Sequence, residues 1–540
     1  MQTSDYNKIE IDQFNGLYKR GRSDQTPPDH AICCDNCEFR KPGQVSSRGG
    51  SKMSLVLDHP VRKHFLATFD NDTFVYLHID YAGNLYQGNN PTPLANIPNM
   101  IGFSAINLFN RCYILPLLST LGSATKLKVW RGPGFALRDA LGVKPTGTIV
   151  AANGAAGKLD PGIHKFTVCF ETDTGFITPP NTTIISYTAP GALKVDLSSI
   201  PTGPSTTVAR HILATRGNEE DFFFPPGGRI GNNTATTLTL DFYDSDLSIS
   251  ADYLFDLLEF LPGASISAAL FKFHGRLLST AEGDLVRVSR SGDAESFSNV
   301  DGFIQMPSEN DGNTTRSLCL LRDTLYLFKS VGAFATEDNG DVPSSWRVTQ
   351  IDGTRGAYQD SISTVTGSQP ALPDRGFTVA NRAGLFLFEG IFGDRPLTWK
   401  VDDVWQRLTH GAEFNISVII DAFKQEMYVL LPVDGSVEPN LLLLGDFTSG
   451  LDWKSLKWSL WYFSFTPSCI MMGNFSDDAG FGDYDYYLRL GSAEIDGVIK
   501  QRRGLKNDLG EAIVAYYQPG PVTFERGALN IFRGYRTRAW

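Results

Sequence analysis

At 540 residues the chain is long enough for two or three domains, or for one large radial β fold, so core size does not limit its stability. Its formal net charge of -11 argues against a broad electrostatic footprint for nucleic acid or anionic membrane. The 52 glycines, 36 phenylalanines and 19 tyrosines favour short strands and tight turns over long surface helices.

The first residues, MQTSDYNKIEIDQF, lack the basic patch and apolar run of a secretory leader, and no later stretch approaches eighteen uninterrupted apolar residues, so no stable membrane span is expected. Residues 1–50 are rich in polar and turn-forming types and read as an extended N-terminal arm. Strand signals follow at 53–57, 65–69, 73–79, 101–108, 112–118 and 126–130, so closely spaced that neighbours must pair antiparallel without helical crossovers. These place the first part of a β-propeller at 51–145.

After a Gly-, Ala- and Pro-rich break, a second strand series runs to 242. Within it His164, Phe166, Val168 and Phe170 alternate with Lys165, Thr167 and Cys169, the period of a half-buried strand. This series reads as an inserted sandwich over 146–245. The segment DYLFDLLEFL at 252–261 carries apolar residues at three- and four-residue spacing before Pro262-Gly263 and predicts a short linker helix. From 246 to 540 strand pairs return in a blade-like rhythm, with polar turns at Arg322-Asp323, 381–384 and 421–424, as expected for the remainder of a propeller. The fold class is thus all-β: a propeller, an inserted sandwich and an N-terminal arm.

Candidate chemistry is sparse. Cys33, Cys34 and Cys37, with His30 nearby, approach metal-ligand spacing, but no second CxxC completes a zinc set and the bland reading is small buried hydrophobes. The seven scattered cysteines form no disulfide framework, which fits folding in a reducing compartment. No HExxH, GxSxG, GxGxxG or GxxxxGK[ST] occurs, and His274 reads as a turn residue. Asp241, Asp244 and Asp246, and likewise Asp477, Asp478, Asp483 and Asp485, make acid-rich turns; neither has EF-hand spacing for calcium, and proximity alone does not make a glycosidase pair. We therefore expect no enzyme activity, no catalytic residue, no resident metal and no cofactor.

The short basic groupings containing Lys19, Arg20 and Arg22, together with Arg48, Arg502 and Arg503, are interface candidates, read either as solvated turns or as contacts to phosphate or an acidic neighbouring subunit. Arg276 and Asp293 are candidate blade-locking residues. Trp453, Trp458 and Trp461, within the aromatic cluster at 453–465, are candidate wedge-filling residues between sheets.

Three segments carry a family resemblance. They are IDQFNGLYKRGRSDQTPPDHAICCDNCEFRKPGQVSSRG at 11–49, FTVCFETDTGFITPP with VARHILATRG within 162–217, and FHGRLLSTAEGDLVRVSRSGDAESF at 273–297. In this order they resemble the β-propeller tail proteins of bacteriophages, especially the tail nozzle of short-tailed phages. The resemblance implies an immunoglobulin- or fibronectin-like insertion and a virion component folded in the host cytoplasm. It further implies a homohexameric ring, contacts with adaptor or tail-tube proteins and with tail fibres, and transient passage of DNA during genome ejection. The competing reading is a glycan-cleaving or glycan-binding tail surface protein on a propeller scaffold.

Overall fold

The computed structural model describes residues 14–41, 44–70, 73–120, 125–265, 268–307, 314–359, 361–365, 376–473, 487–502, 504–523, 529–530 and 535–538. The fold is all-β, and the α-helix among these residues is a single turn, Asp402–Gln406.

Among the described residues, seven mainly antiparallel sheets follow one another along the chain, besides the sandwich and two short hairpins. The first comprises Lys63–Phe69, Thr73–Ile79, Asn84–Gln87 and Ala95–Asn96, paired in sequence order. The second runs Met100–Leu108, Arg111–Leu118, Lys128–Trp130 and Arg138–Asp139. The third holds Leu270–Phe273, Arg276–Glu282, Leu285–Arg290 and Asp293–Phe297, and the fourth Thr315–Leu321, Thr324–Lys329, Ala333–Glu337 and Thr349–Asp352. Ile362–Val365, Gly376–Asn381 and Gly384–Phe388 form the fifth. The sixth begins Ser417–Asp421, Glu426–Leu431, Leu441–Asp446, Lys457–Trp461, and the seventh Pro467–Gly473, Tyr487–Ser492, Gly497–Arg502. Leading strands touch from first to second, second to third, third to fourth, fifth to sixth, sixth to seventh and seventh to first. The fourth and fifth share a core containing Cys319, Leu321, Phe328, Phe377, Val379 and Phe388.

The tight spacing of the strands has a backbone cause. At Phe109-Asn110, His274-Gly275 and Arg322-Asp323 two consecutive residues are left-handed, with φ of 52° and 57°, 46° and 70°, and 51° and 66°. Two such residues match the right-handed twist of a hairpin, so each turn reverses the chain in two residues. Interior strands are buried on both sides. Met427, Val429, Leu431, Leu441 and Leu443 enter one core, while Tyr428, Leu430, Leu442 and Leu444 enter the next. Alternate side chains of one strand therefore bind adjacent sheets together.

The N-terminal segment is incorporated into the end of the series. Ala31–Asp35 extends the sixth sheet, lying between Lys457–Trp461, to which it is parallel, and Val514–Pro519, to which it is antiparallel. Gly50–Val56 pairs with Gly497–Arg502 in the seventh. Much of the expected arm is thus strand; residues 1–13 lie outside the described residues.

Between the second and third sheets a pair of sheets forms a sandwich. One holds Val150–Leu159, Leu193–Ser198 and Leu238–Leu240; the other holds Ile185–Ala189, Gly162–Thr172, Thr207–Thr215 and Phe222–Phe223. Phe166, Val168, Val195, Leu197, Ile212 and Leu240 fill the space between them. The strand expected to be half-buried is buried on both faces, because Cys169 and Leu213 point the other way, into a core shared with Tyr113, Leu115, Leu277 and Phe297. The sandwich is docked on the second and third sheets, which covers this strand on both faces from Phe166 to Phe170 while Ile163 stays exposed.

The predicted linker helix is a correction. Asp252–Asp256 is a 3-10 turn, after which Leu257 is extended at ψ 141°. The Leu258 amide donates to the Phe297 carbonyl and Leu257 bridges Ser298. An isolated ten-residue helix nucleates poorly. Here the extended path buries Leu254, Leu257 and Leu261 while supplying a strand-like partner.

Candidate functional site

The polar side chains with the most convergent contacts form two buried junctions. The first joins the chain's beginning to its end. Asn36, left-handed at φ 54°, is the corner between Ala31–Asp35 and Cys37–Lys41. Its Oδ1 accepts from Arg48 Nε at 2.9 Å and from the Tyr462 amide at 2.8 Å, and its Nδ2 donates to the Val514 carbonyl at 2.9 Å. Arg48 is 2% exposed. Its Nη1 donates to Asp508 Oδ1 and the Gly49 carbonyl, both at 3.0 Å, and its Nη2 to the Tyr462 carbonyl at 2.6 Å and to Asp508 Oδ2. Ser51 Oγ adds a bond to Asp508 Oδ1 at 2.9 Å. The five guanidinium N–H groups are thereby matched to acceptors, the condition under which a buried charge is tolerated. Gly50 permits this closeness, since a Cβ there would stand 2.1 Å from the Asn507 carbonyl oxygen.

The second junction seats the sandwich. Glu295, 1% exposed on the third sheet, accepts from Thr174 Oγ1 at 2.5 Å and the Leu141 amide at 2.8 Å, with Arg138 Nη1 at 3.3 Å and Nη2 at 3.4 Å. Arg138 Nε reaches Asp173 Oδ1 at 2.9 Å, and Arg131 Nη1 reaches Asp173 Oδ2 at 3.2 Å. One carboxylate thus ties the second sheet, the sandwich and the third sheet.

The interface candidates separate. Arg48 is corrected: burial and its pairing with Asp508 make it an internal clamp. Arg20 is exposed and stacks on Trp399, Arg22 is exposed beside Asp24 at 3.4 Å, and Lys19 is half-buried with its amide donating to the Lys400 carbonyl at 2.7 Å. Arg502 pairs through its backbone with Gly50; its side chain, and Arg503 altogether, lie outside the described residues.

Among the blade-locking candidates, Arg276 Nη1 donates to the Ser289 carbonyl at 3.2 Å, and its guanidinium lies 5.8 Å from the Trp346 ring centroid, linking the third sheet to the fourth. Asp293 Oδ1 accepts the Glu295 amide at 3.0 Å, and burial pushes its carboxyl up. Trp458 and Trp461 are buried, their indole N–H groups donating to the carbonyls of Leu397 at 3.1 Å and Cys37 at 3.0 Å. Trp453 is half-buried, edge-on to Trp399 at 6.1 Å, so it caps a surface rather than fills a wedge.

The remaining candidates do not converge. Cys34 and Cys37 enter the core, and burial pushes the Cys33 thiol up to about 12. Asp241, Asp244 and Asp246 each accept a different backbone amide, from Lys158, Gly217 and Tyr243. The loop with Asp477, Asp478, Asp483 and Asp485 lies outside the described residues. His274 stacks on Phe273 at 4.0 Å. Among the described residues no three His, Cys, Asp or Glu side chains converge as a ligand set. Sequence reasoning missed Asn36, Asp508, Arg138 and Glu295, whose partners stand far away in the chain and leave no local motif.

No protein-family model and no curated protein matches this sequence. Among solved structures, the chain is similar to Sqt1 of Saccharomyces cerevisiae at 7% identity and TM-score 0.34, over 84% of this chain and 98% of that one. It is similar to the computationally designed Ika8 protein at 10% identity and TM-score 0.31, covering 83% and 98%, and to YCF48 from Cyanidioschyzon merolae at 9% identity and TM-score 0.26, covering 84% and 98%. The likeness is distant and concerns the all-β scaffold alone.

Proposed function

We propose that this chain is a structural component of a bacteriophage tail, a nozzle or ring around the DNA exit channel that supports genome ejection without making or breaking bonds. In this reading the seven sheets are the blades of a propeller, closed where Gly50–Val56 completes the last blade, and the sandwich is an immunoglobulin- or fibronectin-like insertion on its rim. The observation that carries the reading is that the buried carboxylates Asp508 and Glu295 are each held by an arginine, Arg48 and Arg138, that spans separate sheets, an arrangement suited to a load-transmitting scaffold. The resemblance of the three ordered segments supplies the biological setting.

Six copies related by rotation would make heterologous, ring-closing contacts, with exposed Arg20 and Arg22 offered to a neighbouring subunit or an adaptor protein in exchange for their contacts to Trp399 and Asp24. Electron-microscopy class averages of the purified full-length protein test this. Rings with a central channel are expected; a purely monomeric particle under native assembly conditions sinks the nozzle reading. Retention of the protein on a polysaccharide column, together with a monomeric particle, would favour a glycan-binding surface protein instead.

A further inference from the structure

Three of the eight histidines gather where the first sheet meets the seventh. His59 lies on the connection from Gly50–Val56 to Lys63–Phe69, His64 on the leading strand of the first sheet, and His78 on its second strand. The surrounding apolar core takes Leu57, Val61 and Tyr76 from one side and Cys469, Met471 and Val498 from the other. Within it the rings form a stack: Tyr76 on His78 with centroids 5.0 Å apart, His78 near Tyr86 at 5.4 Å, and His59 on Tyr86 at 4.0 Å.

The hydrogen bonding between His59 and His78 excludes the state in which both rings are charged. His59 Nε2 stands 3.0 Å from His78 Nε2, a contact that holds only when one nitrogen donates and the other accepts. His78 is fully buried and its Nδ1 has no hydrogen-bond partner, so no acceptor awaits a second proton on that ring. His64 is also buried, with Nδ1 3.0 Å from the Tyr76 hydroxyl. We propose that His59, His64 and His78 form an acid-sensitive latch, neutral when the first and seventh sheets are joined and prising them apart when protonated. The uptake is of solvent protons alone; a first proton on His59 leaves the N–H···N bond in place, and once His78 is protonated as well that bond is replaced by two opposed N–H groups.

The charged neighbours set the direction. Asp58, Asp80 and Asp496 face His59, and Asp80 also faces His78; these favour protonation. Against it stand His59 and His64 beside His78, and Lys63 and Arg489 beside His64. Asp80 is itself engaged by the amides of Ala82 and Asn84, by Asn84 Nδ2 and by the Tyr86 hydroxyl. Burial pushes the Cys469 thiol up to about 11 and the Tyr76 phenol above its ordinary value, so both stay neutral. Burial also outweighs the carboxylates, holding His59 below its ordinary value, His64 down to about 4 and His78 to about 3.

Because the folded-state values lie below that of an unfolded histidine, the neutral cluster's contribution is fully present above about pH 6.5. It is lost progressively as pH falls through that value towards 4 and 3. From pH 6.5 to 5 each of His64 and His78 moves the opening equilibrium by roughly fifteenfold towards the open state.

Hydrogen exchange followed by mass spectrometry on the full-length protein at pH 7 and pH 5, corrected for intrinsic rates, tests the latch. Protection in Lys63–Phe69 and Pro467–Gly473 is expected to fall at pH 5 by more than tenfold relative to the fourth sheet. The His59→Phe, His78→Phe double variant, which keeps the ring stack, should lose most of that differential. An equal acid response in the double variant, or opening that begins in the fourth or fifth sheet, overturns the proposal. If the double variant does not fold, His78→Phe alone removes one of the two strongly shifted rings and should cut the response by about fifteenfold, and an unchanged acid response there overturns the proposal as well.

Discussion

The terminal seam and the sandwich junction each centre on an arginine and a carboxylate, yet they place the charge differently. At the seam both side chains are enclosed, Arg48 at 1% and Asp508 at 4% exposure. At the sandwich Glu295 is as deeply enclosed, at 1%, but Arg138 keeps 11% and shares itself with the partly exposed Asp173. A buried pair has no solvent to fall back on when one partner is removed, whereas a partly wet arginine does. The seam should therefore be the less forgiving, and it also joins residues 48 and 508, so its loss releases both ends of the sheet series.

The largest effect is expected for Asp508→Ala. It leaves the Arg48 guanidinium buried with only neutral acceptors and should cost about 3–5 kcal/mol, the usual penalty for orphaning a buried charge. Urea unfolding of the variant reads this directly, and a loss below about 1 kcal/mol would erase the contrast between the two junctions. Glu295→Ala should cost less, about 2–3 kcal/mol, because Arg138 retains Asp173 and water while the Thr174 hydroxyl and Leu141 amide lose their acceptor. The two changes should add to within about 0.5 kcal/mol if the junctions act independently. A larger coupling would mean that sandwich docking and terminal closure share one cooperative unit.

A third change probes the apolar side of the seam. Trp458 lies over Gly445, where a Cβ would stand 2.8 Å from the indole, and its N–H reaches the Leu397 carbonyl. Trp458→Phe removes that bond and leaves a gap beside the glycine, for an expected cost of about 1–3 kcal/mol. Thermal unfolding that matches the parent protein would show that the seam's stability is carried by its charges alone.

The strands themselves were legible in the sequence, because period-two apolarity and turn residues such as Arg322-Asp323 are local signals. The aromatic cluster was visible in the same way, and Trp458 and Trp461 are buried, each in a different core. What escaped depends on distant residues. The pairing of Gly50–Val56 with Gly497–Arg502 has no signature in either segment, and without it Arg48 looks like any exposed arm residue. Thr167 and Cys169 read as a solvent face because nothing nearby announces that a second core will cover them. The 252–261 segment misled for a related reason, since its leucine spacing suits a helix in isolation while tertiary pairing with Phe297 and Ser298 favours an extended path. His59, His64 and His78, spread over twenty residues and two turns, become a cluster only once the first sheet folds back upon itself.

The smallest effect is expected where a bidentate ion pair is largely open to solvent. Arg407 reaches both carboxylate oxygens of Asp434, Nε at 2.9 Å from Oδ1 and Nη2 beside Oδ2, with side chains 39% and 54% exposed. The pairing raises the arginine and lowers the carboxylate from their ordinary values, both chiefly through the shared hydrogen bond. Water and salt screen such a pair, so Arg407→Ala should cost about 0–1 kcal/mol, and less still as salt is raised. Both pairs are bidentate, Arg48 through Nη1 and Nη2 and Arg407 through Nε and Nη2, so the comparison with Asp508→Ala chiefly contrasts an enclosed pair with a solvent-exposed one. Equal losses at the two sites would mean that the fork geometry, rather than exclusion of water, makes the terminal seam strong.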